Sequence, residues 1–181
     1  MARKPRGDLP AGIYHVTTRS AGPITMFRDD DDRTLFSMLL IRTLVRAKWV
    51  CRGFCLMTTH YHLLLEVPAN TLQRGMQHLN GNYGRGFNLR HGRSGHLAGA
   101  RYYAVQVKSD GHMLTLLRYM ARNPVEAGLC AKPSDWYWSS YRGCIEIDQE
   151  FPFVDSAPFR AYFGLGRESA IEHLRRFVEG E

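Results

Sequence analysis

The stretch His60-Tyr61-His62-Leu63-Leu64-Leu65-Glu66-Val67 decides the fold of this chain. Its aromatic and branched residues predict a β-strand over 60–67. Successive side chains of a strand point to opposite faces, so Tyr61 shares its face with leucine and valine only. We expect that face to pack against helices. His60 and His62 lie together on the other face, which we expect to be less apolar and open to solvent.

Further elements are predicted on either side of this strand. The acidic run Asp29-Asp30-Asp31-Asp32 stands directly before an apolar run with helical spacing. Acidic groups stabilise the N-terminus of a helix, so the run predicts a helix start, with a metal site as the alternative interpretation. The other predictions are strands over 13–18, 48–56 and 101–108, helices over 72–87 and 111–122, and a basic, glycine-rich loop over 90–100.

The order of these elements, β-α-β-β-α-β-α, is typical of a two-layer α+β fold with an antiparallel sheet. Residues 1–12 combine prolines, glycines and basic residues and predict an extended basic arm. Residues 13–130 are expected to form the folded domain. Residues 131–181 are expected to form a C-terminal extension that wraps the domain and ends in a basic amphipathic segment.

Composition limits the class of protein. The chain has 181 residues, of which 44% are hydrophobic, which excludes a disordered tail, a fibrous repeat and a small disulfide scaffold. Lys and Arg number 24 against 17 Asp and Glu, and the net charge of +7 favours a polyanionic partner such as nucleic acid. No apolar run is long enough to cross a membrane, and the basic start leads into no apolar signal core. We therefore expect a cytoplasmic protein with reduced cysteines, namely Cys51, Cys55, Cys130 and Cys144.

The paired imidazoles of His60 and His62 can together hold one divalent ion when both are neutral. Two partly exposed histidines that form hydrogen bonds with their neighbours are the alternative interpretation. A zinc ion held by Cys51, Cys55 and both histidines is a further alternative, because the spacing of the two cysteines is permissible for zinc. Both thiols, however, fall in a strand that is predicted to be buried.

Tyr119 is presented outward by the predicted helix over 111–122. On a helical wheel it lies opposite an apolar stripe that would dock the helix. Asn123 lies four residues further along and reaches the same site if the helix continues that far. Because Pro124 disfavours helical geometry in the residue before it, we favour the interpretation that Asn123 caps a short second helix ending at Gly128. Capping and metal contact are compatible.

Several short stretches, taken in order, resemble the single-tyrosine HUH transposases, and most closely the REP-associated tyrosine transposases. The resemblance covers residues 10–145, and the order of the stretches is its specific part. Two of them contain the residues discussed above: Phe54-Cys55-Leu56-Met57-Thr58-Thr59-His60-Tyr61-His62-Leu63-Leu64 and Arg118-Tyr119-Met120-Ala121-Arg122-Asn123-Pro124-Val125-Glu126-Ala127-Gly128-Leu129. The others are 12–19, 24–33, 82–88, 95–102 and 138–141.

This resemblance implies a ferredoxin-like α+β domain, with helices on one face of an antiparallel sheet and a C-terminal helical appendage. It implies that Tyr119 is the nucleophile and that His60 and His62 bind Mg²⁺ or Mn²⁺, with Asn123 as a third ligand. The implied activity is cleavage and joining of single-stranded DNA at or near REP-type hairpins through a 5′-phosphotyrosine, by a monomer rather than a homodimer. A non-catalytic DNA-hairpin-binding protein or repressor, and a zinc-stabilised RNA-binding module that uses Cys51 and Cys55, are the alternatives.

Basic side chains are the candidates for contacts with DNA, since arginine matches the geometry of phosphate oxygens. They are distributed over the arm, the glycine-rich loop, the tyrosine helix and the C-terminal segment. The candidates are Arg3, Lys4, Arg6, Arg90, Arg93, His96, Arg101, Arg122, Arg175 and Arg176.

Overall fold

The computed structural model describes residues 9–147, 151–164 and 166–180. The strands are β1 (Gly12–Arg19), β2 (Val50–Leu56), β3 (His60–Val67) and β4 (Tyr103–Gln106). The helices are α1 (Asp30–Ala47), α2 (Leu72–Arg90), α3 (Asp110–Glu126), α4 (Tyr141–Cys144), α5 (Ala157–Ala161) and α6 (Arg167–Glu179). The arm residues Arg3, Lys4 and Arg6 lie outside the described residues.

The four strands form one antiparallel sheet in the order β2-β3-β1-β4. The central strands β1 and β3 pair along their whole length, from Gly12 opposite Val67 to Arg19 opposite His60. One helix connects β1 to β2 and another connects β3 to β4. This arrangement confirms the antiparallel α+β fold predicted from the order of elements, and it is the ferredoxin-like fold that the resemblance implies.

Helices α1 and α2 cover the face of the sheet that carries Tyr61. Apolar side chains from both helices and from the central strands are buried together there, and the removal of this area from water is the main stabilising contribution. Representative members are Phe36 and Leu40 of α1, Met76 and Leu79 of α2, and Leu63 and Leu65 of β3. The prediction for this face is confirmed.

Helix α1 begins at the acidic run. Asp29 is its N-cap, and the Asp29 carboxylate accepts a hydrogen bond of 3.0 Å from the backbone N–H of Asp32. The Asp32 carboxylate in turn accepts one of 2.9 Å from the backbone N–H of Arg28. The helix start predicted from these aspartates is confirmed.

Helix α2 runs to Arg90, further than predicted, and one of its glycines is required by packing. A Cβ at Gly75 would lie 2.1 Å from Cη2 of Trp49, so the helix approaches this ring only because the position has no side chain. In contrast, strand β4 is shorter than the predicted 101–108. The glycine-rich segment before β4 crosses the end of the sheet, where Ser20 and Ala98 form an isolated bridge.

Helix α3 and the C-terminal helices cover part of the other face of the sheet. Cys55 of β2 and Leu64 of β3 are buried there with apolar residues of α3, α5 and α6, including Leu117, Phe159 and Leu174. Helices α1 and α2 therefore lie on one face of the sheet, and α3, α5 and α6 lie on the other. The expectation that the histidine face is open is wrong, because the apolar stripe of α3 packs against that face. His60 and His62 are 8% and 1% exposed.

Helix α3 also continues through Pro124, where the sequence predicts a break. Its N-cap Ser109 accepts a hydrogen bond from the N–H of His112, and the helix ends at Glu126. Proline removes one helical hydrogen bond, and burial of Pro124 in the packed turn offsets that loss. The predicted second helix capped by Asn123 is therefore wrong, and Asn123 stands on the same helix as Tyr119. None of the described helices is long and apolar enough to cross a membrane.

Candidate functional site

The pairing of β1 with β3 brings a third histidine to the pair. Thr17 lies opposite His62 in the register, and His15 lies opposite Leu64. Side chains two residues apart share a face, so His15 and Thr17 lie on the face of His60 and His62. The His15 and His62 rings stack with their centroids 5.2 Å apart, and the His60 and His62 rings meet edge-on at 5.0 Å.

The hydrogen bonds of the pair involve one nitrogen of each ring. Nδ1 of His62 lies 3.0 Å from Nε2 of His15 and 3.2 Å from Oγ1 of Thr17. Nδ1 of His60 lies 3.2 Å from Oγ1 of Thr59. Within the described part of the chain, both Nε2 atoms are buried and have no hydrogen-bond partner. Buried polar atoms are seldom left unpaired, so these two nitrogens make the histidine pair a candidate ligand site.

Burial keeps these imidazoles neutral. It lowers the pKa of His62 to about 3, and the nearby His15, His60 and Arg19 act in the same direction. The pKa of His60 falls to about 4, mainly through burial and then through Arg19, while the side chain of Asn123 has a weaker opposing effect. A neutral imidazole has a lone pair on one nitrogen, which is the form that binds metals.

Tyr119 of α3 lies over the same rings. Its ring meets that of His62 edge-on with centroids 5.4 Å apart, and that of His15 at 6.1 Å. The Tyr119 side chain is 44% exposed, in contrast to the buried stripe on the opposite side of the helix. The outward presentation predicted for Tyr119 is found. One chain thus places a solvent-accessible phenol beside two buried imidazoles.

Asn123 lies one helical turn beyond Tyr119, and its Nδ2 donates a hydrogen bond of 2.6 Å to the backbone carbonyl of Tyr119. The same side chain influences the pKa of His60. With Nδ2 engaged by that carbonyl, the amide oxygen is the acceptor that is left to interact with His60 or with a cation. Two Nε2 atoms and one amide oxygen are donors that suit a divalent ion, so the residues present fit the Mg²⁺ or Mn²⁺ that the resemblance implies.

The four-ligand zinc alternative is wrong. The chain bulges between Cys51 and Gly53 of β2, so the two cysteines fall on opposite sides of the sheet. Cys51 is buried with α1 and α2, and Cys55 is buried beside Leu64. Burial raises the pKa of Cys51 to about 12 and also raises that of Cys55, so neither is a thiolate near neutral pH.

A separate group of possible metal ligands lies at the start of α1. Ligand atoms of Asp29, Asp32 and His91 lie within 4.8 Å of one another. The Arg90 guanidinium occupies this group, with ion pairs of 2.7 Å to Asp29, 2.9 Å to Asp31 and 2.8 Å to Asp32. The group is therefore consistent with a divalent ion by composition, but a protein cation already neutralises its carboxylates.

The predicted DNA contacts have different surroundings. Arg90 is engaged by the aspartates, Arg122 donates to the carbonyls of Val178 and Glu179, and Arg176 pairs with Glu172. Arg93 lies over the Phe87 ring, and its Nη1 is buried without a partner among the described residues. His96, Arg101 and Arg175 are exposed. Arg90, Arg122 and Arg176 thus have structural partners. The exposed side chains of His96, Arg101 and Arg175 are available to a ligand.

His15 is the residue of this site that the sequence analysis missed. The segment 13–18 is predicted as a strand, and its period places His15 and Thr17 on one face. Only the pairing of β1 with β3 shows that this is the face of the His60 and His62 pair.

A comparison with solved structures finds a REP-associated tyrosine transposase that was solved bound to a REP hairpin. It superimposes with a TM-score of 0.70 at 12% sequence identity, and the match covers 81% of this chain and 86% of the other. This chain has the fold of a REP-associated tyrosine transposase. A candidate transposase from Deinococcus radiodurans R1 matches with a TM-score of 0.46 at 17% identity, over 65% of this chain and 95% of the other. No family model and no curated protein matches the sequence.

Proposed function

We propose that this protein is a metal-dependent endonuclease and strand transferase for single-stranded DNA, with Tyr119 as its nucleophile. One observation carries the proposal. Within one chain, the accessible ring of Tyr119 lies 5.4 Å from that of His62, beside two buried Nε2 atoms without partners among the described residues. A structural role for the histidines alone would leave these unpaired nitrogens unexplained.

His60 and His62 would hold the metal through Nε2, and Asn123 would hold it through its amide oxygen. A bound Mg²⁺ or Mn²⁺ ion would polarise the scissile phosphate and stabilise its developing charge. The Tyr119 oxygen attacks phosphorus, and the bond to the 3′ oxygen breaks. The phenolic proton leaves to solvent, and the departing 3′ oxygen takes up a proton. The products are a 5′-phosphotyrosine and a free 3′-hydroxyl, and attack by another 3′-hydroxyl reverses the step and joins two strands.

The proposed substrate is single-stranded DNA with REP-like hairpins. The net charge of +7 favours such a polyanion. The solved neighbour of the same fold was bound to a REP hairpin. We also propose that the protein acts in the cytoplasm. We propose that it acts as a monomer, because Tyr119 and the histidines of the same chain lie side by side. Arg3, Lys4 and Arg6 of the arm, with the exposed basic residues above, are the proposed contacts to the DNA backbone.

The experiment uses labelled hairpin oligonucleotides with randomised single-stranded flanks, incubated with the protein and Mn²⁺. The wild type is expected to form a covalent adduct that survives denaturing electrophoresis, and Tyr119→Phe is expected to form none. Tyr162→Phe is the matched control, because Tyr162 is also exposed but lies in the C-terminal segment. An adduct that persists in Tyr119→Phe contradicts the proposal. Binding without any adduct in the wild type identifies the non-catalytic hairpin-binding protein instead.

A further inference from the structure

We propose that the outer side of α1, together with the start of β2, binds an acidic amphipathic helix of a partner protein. Large apolar side chains are exposed there, and they define what we call the α1 surface: Met38, Ile41, Val45 and Val50. Helix α1 packs on one face of the sheet, and Tyr119 and the histidine pair lie on the other. A partner on the α1 surface would therefore leave the candidate catalytic site uncovered.

Helix α1 carries two apolar stripes. The inner stripe includes Phe36 and Leu40, which are buried in the core. The outer stripe consists of Met38, Ile41 and Val45, which follow one another at steps of three and four residues and so lie side by side on the helix. Val45 is 78% exposed. Helices on a protein surface ordinarily have one apolar stripe and a polar opposite side, so the outer stripe is surplus to folding.

A depression of about 360 Å³ adjoins the stripe, between the end of α1 and the start of β2. Its lining is apolar or aromatic except for Lys48, and it includes Val45, Val50, Trp49 and Phe153. Helices that bind to a surface commonly insert one or two large apolar side chains into such a recess. The α1 surface thus offers both a stripe for an apolar helix face and a recess for an anchoring side chain.

The charges beside the stripe are positive. Arg42 and Arg46 each follow a residue of the stripe, and Lys48 lies at its C-terminal end. All three are exposed and form no ion pair within the described part of the chain. Residues 33–65 include no Asp or Glu. An apolar stripe with basic neighbours is complementary to a helix whose apolar face is flanked by acidic residues.

The nearby carboxylates do not offset this charge. Glu66 lies opposite Val50 in the sheet, and Asp155 follows the segment that contains Phe153. Both carboxylates form ion pairs with Arg52 of β2. Arg42, Arg46 and Lys48 therefore remain for an external partner.

Two other occupants match this surface less well. A second copy of the chain in a symmetric contact would bring Arg42, Arg46 and Lys48 of both copies together, which is repulsive. Single-stranded DNA would satisfy the basic residues, but bases stack on aromatic rings, and the stripe has only aliphatic and thioether side chains. An acidic amphipathic helix satisfies the charges and covers the stripe.

The test uses the full-length protein and two fluorescein-labelled helical peptides, without DNA. The first has leucines at steps of three and four residues with glutamates beside them, and the second has the same composition in scrambled order. Fluorescence anisotropy is expected to show about tenfold tighter binding of the first peptide. Val45→Asp is expected to abolish this preference. Leu89→Asp is the matched control, because Leu89 is an equally exposed apolar residue on α2. Both positions are exposed, so both variants are expected to fold.

A second pair of variants tests the charge complementarity. Arg46→Glu is expected to weaken binding of the amphipathic peptide about tenfold, and replacement of the peptide's glutamates by glutamines is expected to remove this effect. Arg74→Glu makes the same change in net charge at an exposed position of α2 outside the α1 surface, and is expected to bind as the wild type does. Methyl NMR locates the contact, with shifts expected at Met38, Ile41 and Val45.

Equal binding of the two peptides by the wild type contradicts the inference, and so does undiminished binding by Val45→Asp or an equal loss in Leu89→Asp. Displacement of the peptide by oligothymidine from the wild type, with DNA binding lost in Val45→Asp, would identify a nucleic-acid contact and overturn it. A wild-type dimer that Val45→Asp converts to a monomer in sedimentation would identify a second copy as the occupant and would also overturn it. Formation of the Tyr119 adduct is independent of these outcomes.

Discussion

The hydrogen bonds around His62 determine which of its nitrogens stays free. Thr17 and His15 both reach Nδ1, so a proton on Nδ1 has acceptors and the lone pair of Nε2 remains for a cation. His15 is itself neutral, because burial lowers its pKa to about 4 and His112 adds to the shift. His15 is therefore placed to orient His62.

Replacement of His15 by alanine is expected to weaken Mn²⁺ binding by about 10- to 100-fold, the usual effect of losing a residue that orients a metal ligand. His15→Gln keeps a group that can form the hydrogen bond and is expected to restore part of the affinity. The measurement is a titration of free Mn²⁺ by electron paramagnetic resonance, without DNA. His78→Ala on α2 is the control. Unchanged Mn²⁺ affinity in His15→Ala would exclude the positioning role.

Single elements show how much the sequence predicts. The bounds of β3 are those predicted, because a strand with one wholly apolar face has a strong pattern. The end of α3 differs from the predicted one, because tertiary packing outweighs the tendency of Pro124 to end a helix. The local sequence gives no information on that packing. The same holds for the buried histidine face and for His15, both of which depend on how elements pack.

Two glycines of α2 separate local propensity from packing. Gly81→Ala is expected to stabilise the protein by up to about 1 kcal/mol, because alanine is the better helix former and its Cβ has space. Gly75→Ala is expected to destabilise it by about 1–3 kcal/mol, because its Cβ would collide with Trp49. Chemical denaturation measures both free energies of unfolding. Equal effects of the two substitutions would contradict the packing described for Trp49.

For the whole molecule, the net charge is a poor guide to which basic side chains are free to contact DNA under the proposed function. Arg90 belongs to the glycine-rich region that the sequence predicts as a contact, yet it neutralises three aspartates at the start of α1. Arg74 and Arg85, which were not predicted as contacts, are exposed and line one depression beside α2. Which arginines are free depends on ion pairs between elements that are distant in the sequence.

Stability of the metal-free protein is expected to fall as the pH decreases from 6.5 towards 4. The folded-state pKa values of His15, His60 and His62 are lowered, so below pH 6.5 the unfolded chain takes up protons that the folded chain does not. Each such histidine adds up to about 1.4 kcal/mol per pH unit to the slope. Denaturation in EDTA is expected to give a shallower slope for His62→Gln than for the wild type. His173→Gln, at an exposed position, is the comparison. A slope that stays as in the wild type in His62→Gln and falls only in His173→Gln would be inconsistent with this account.

Peptide mass spectrometry of the DNA–protein adduct tests the central claim most directly. The wild type is incubated with the flanked hairpin pool and Mn²⁺, the DNA and protein are digested, and the nucleotide-bearing peptide is sequenced. The account predicts a 5′-linked nucleotide on Tyr119, formed only with the metal and lost in a His60→Ala, His62→Ala double variant. Tyr103, which is exposed and lies opposite Thr17 on β4, is the alternative nucleophile to check. A nucleotide on Tyr103, or an adduct that forms in EDTA, would contradict the account.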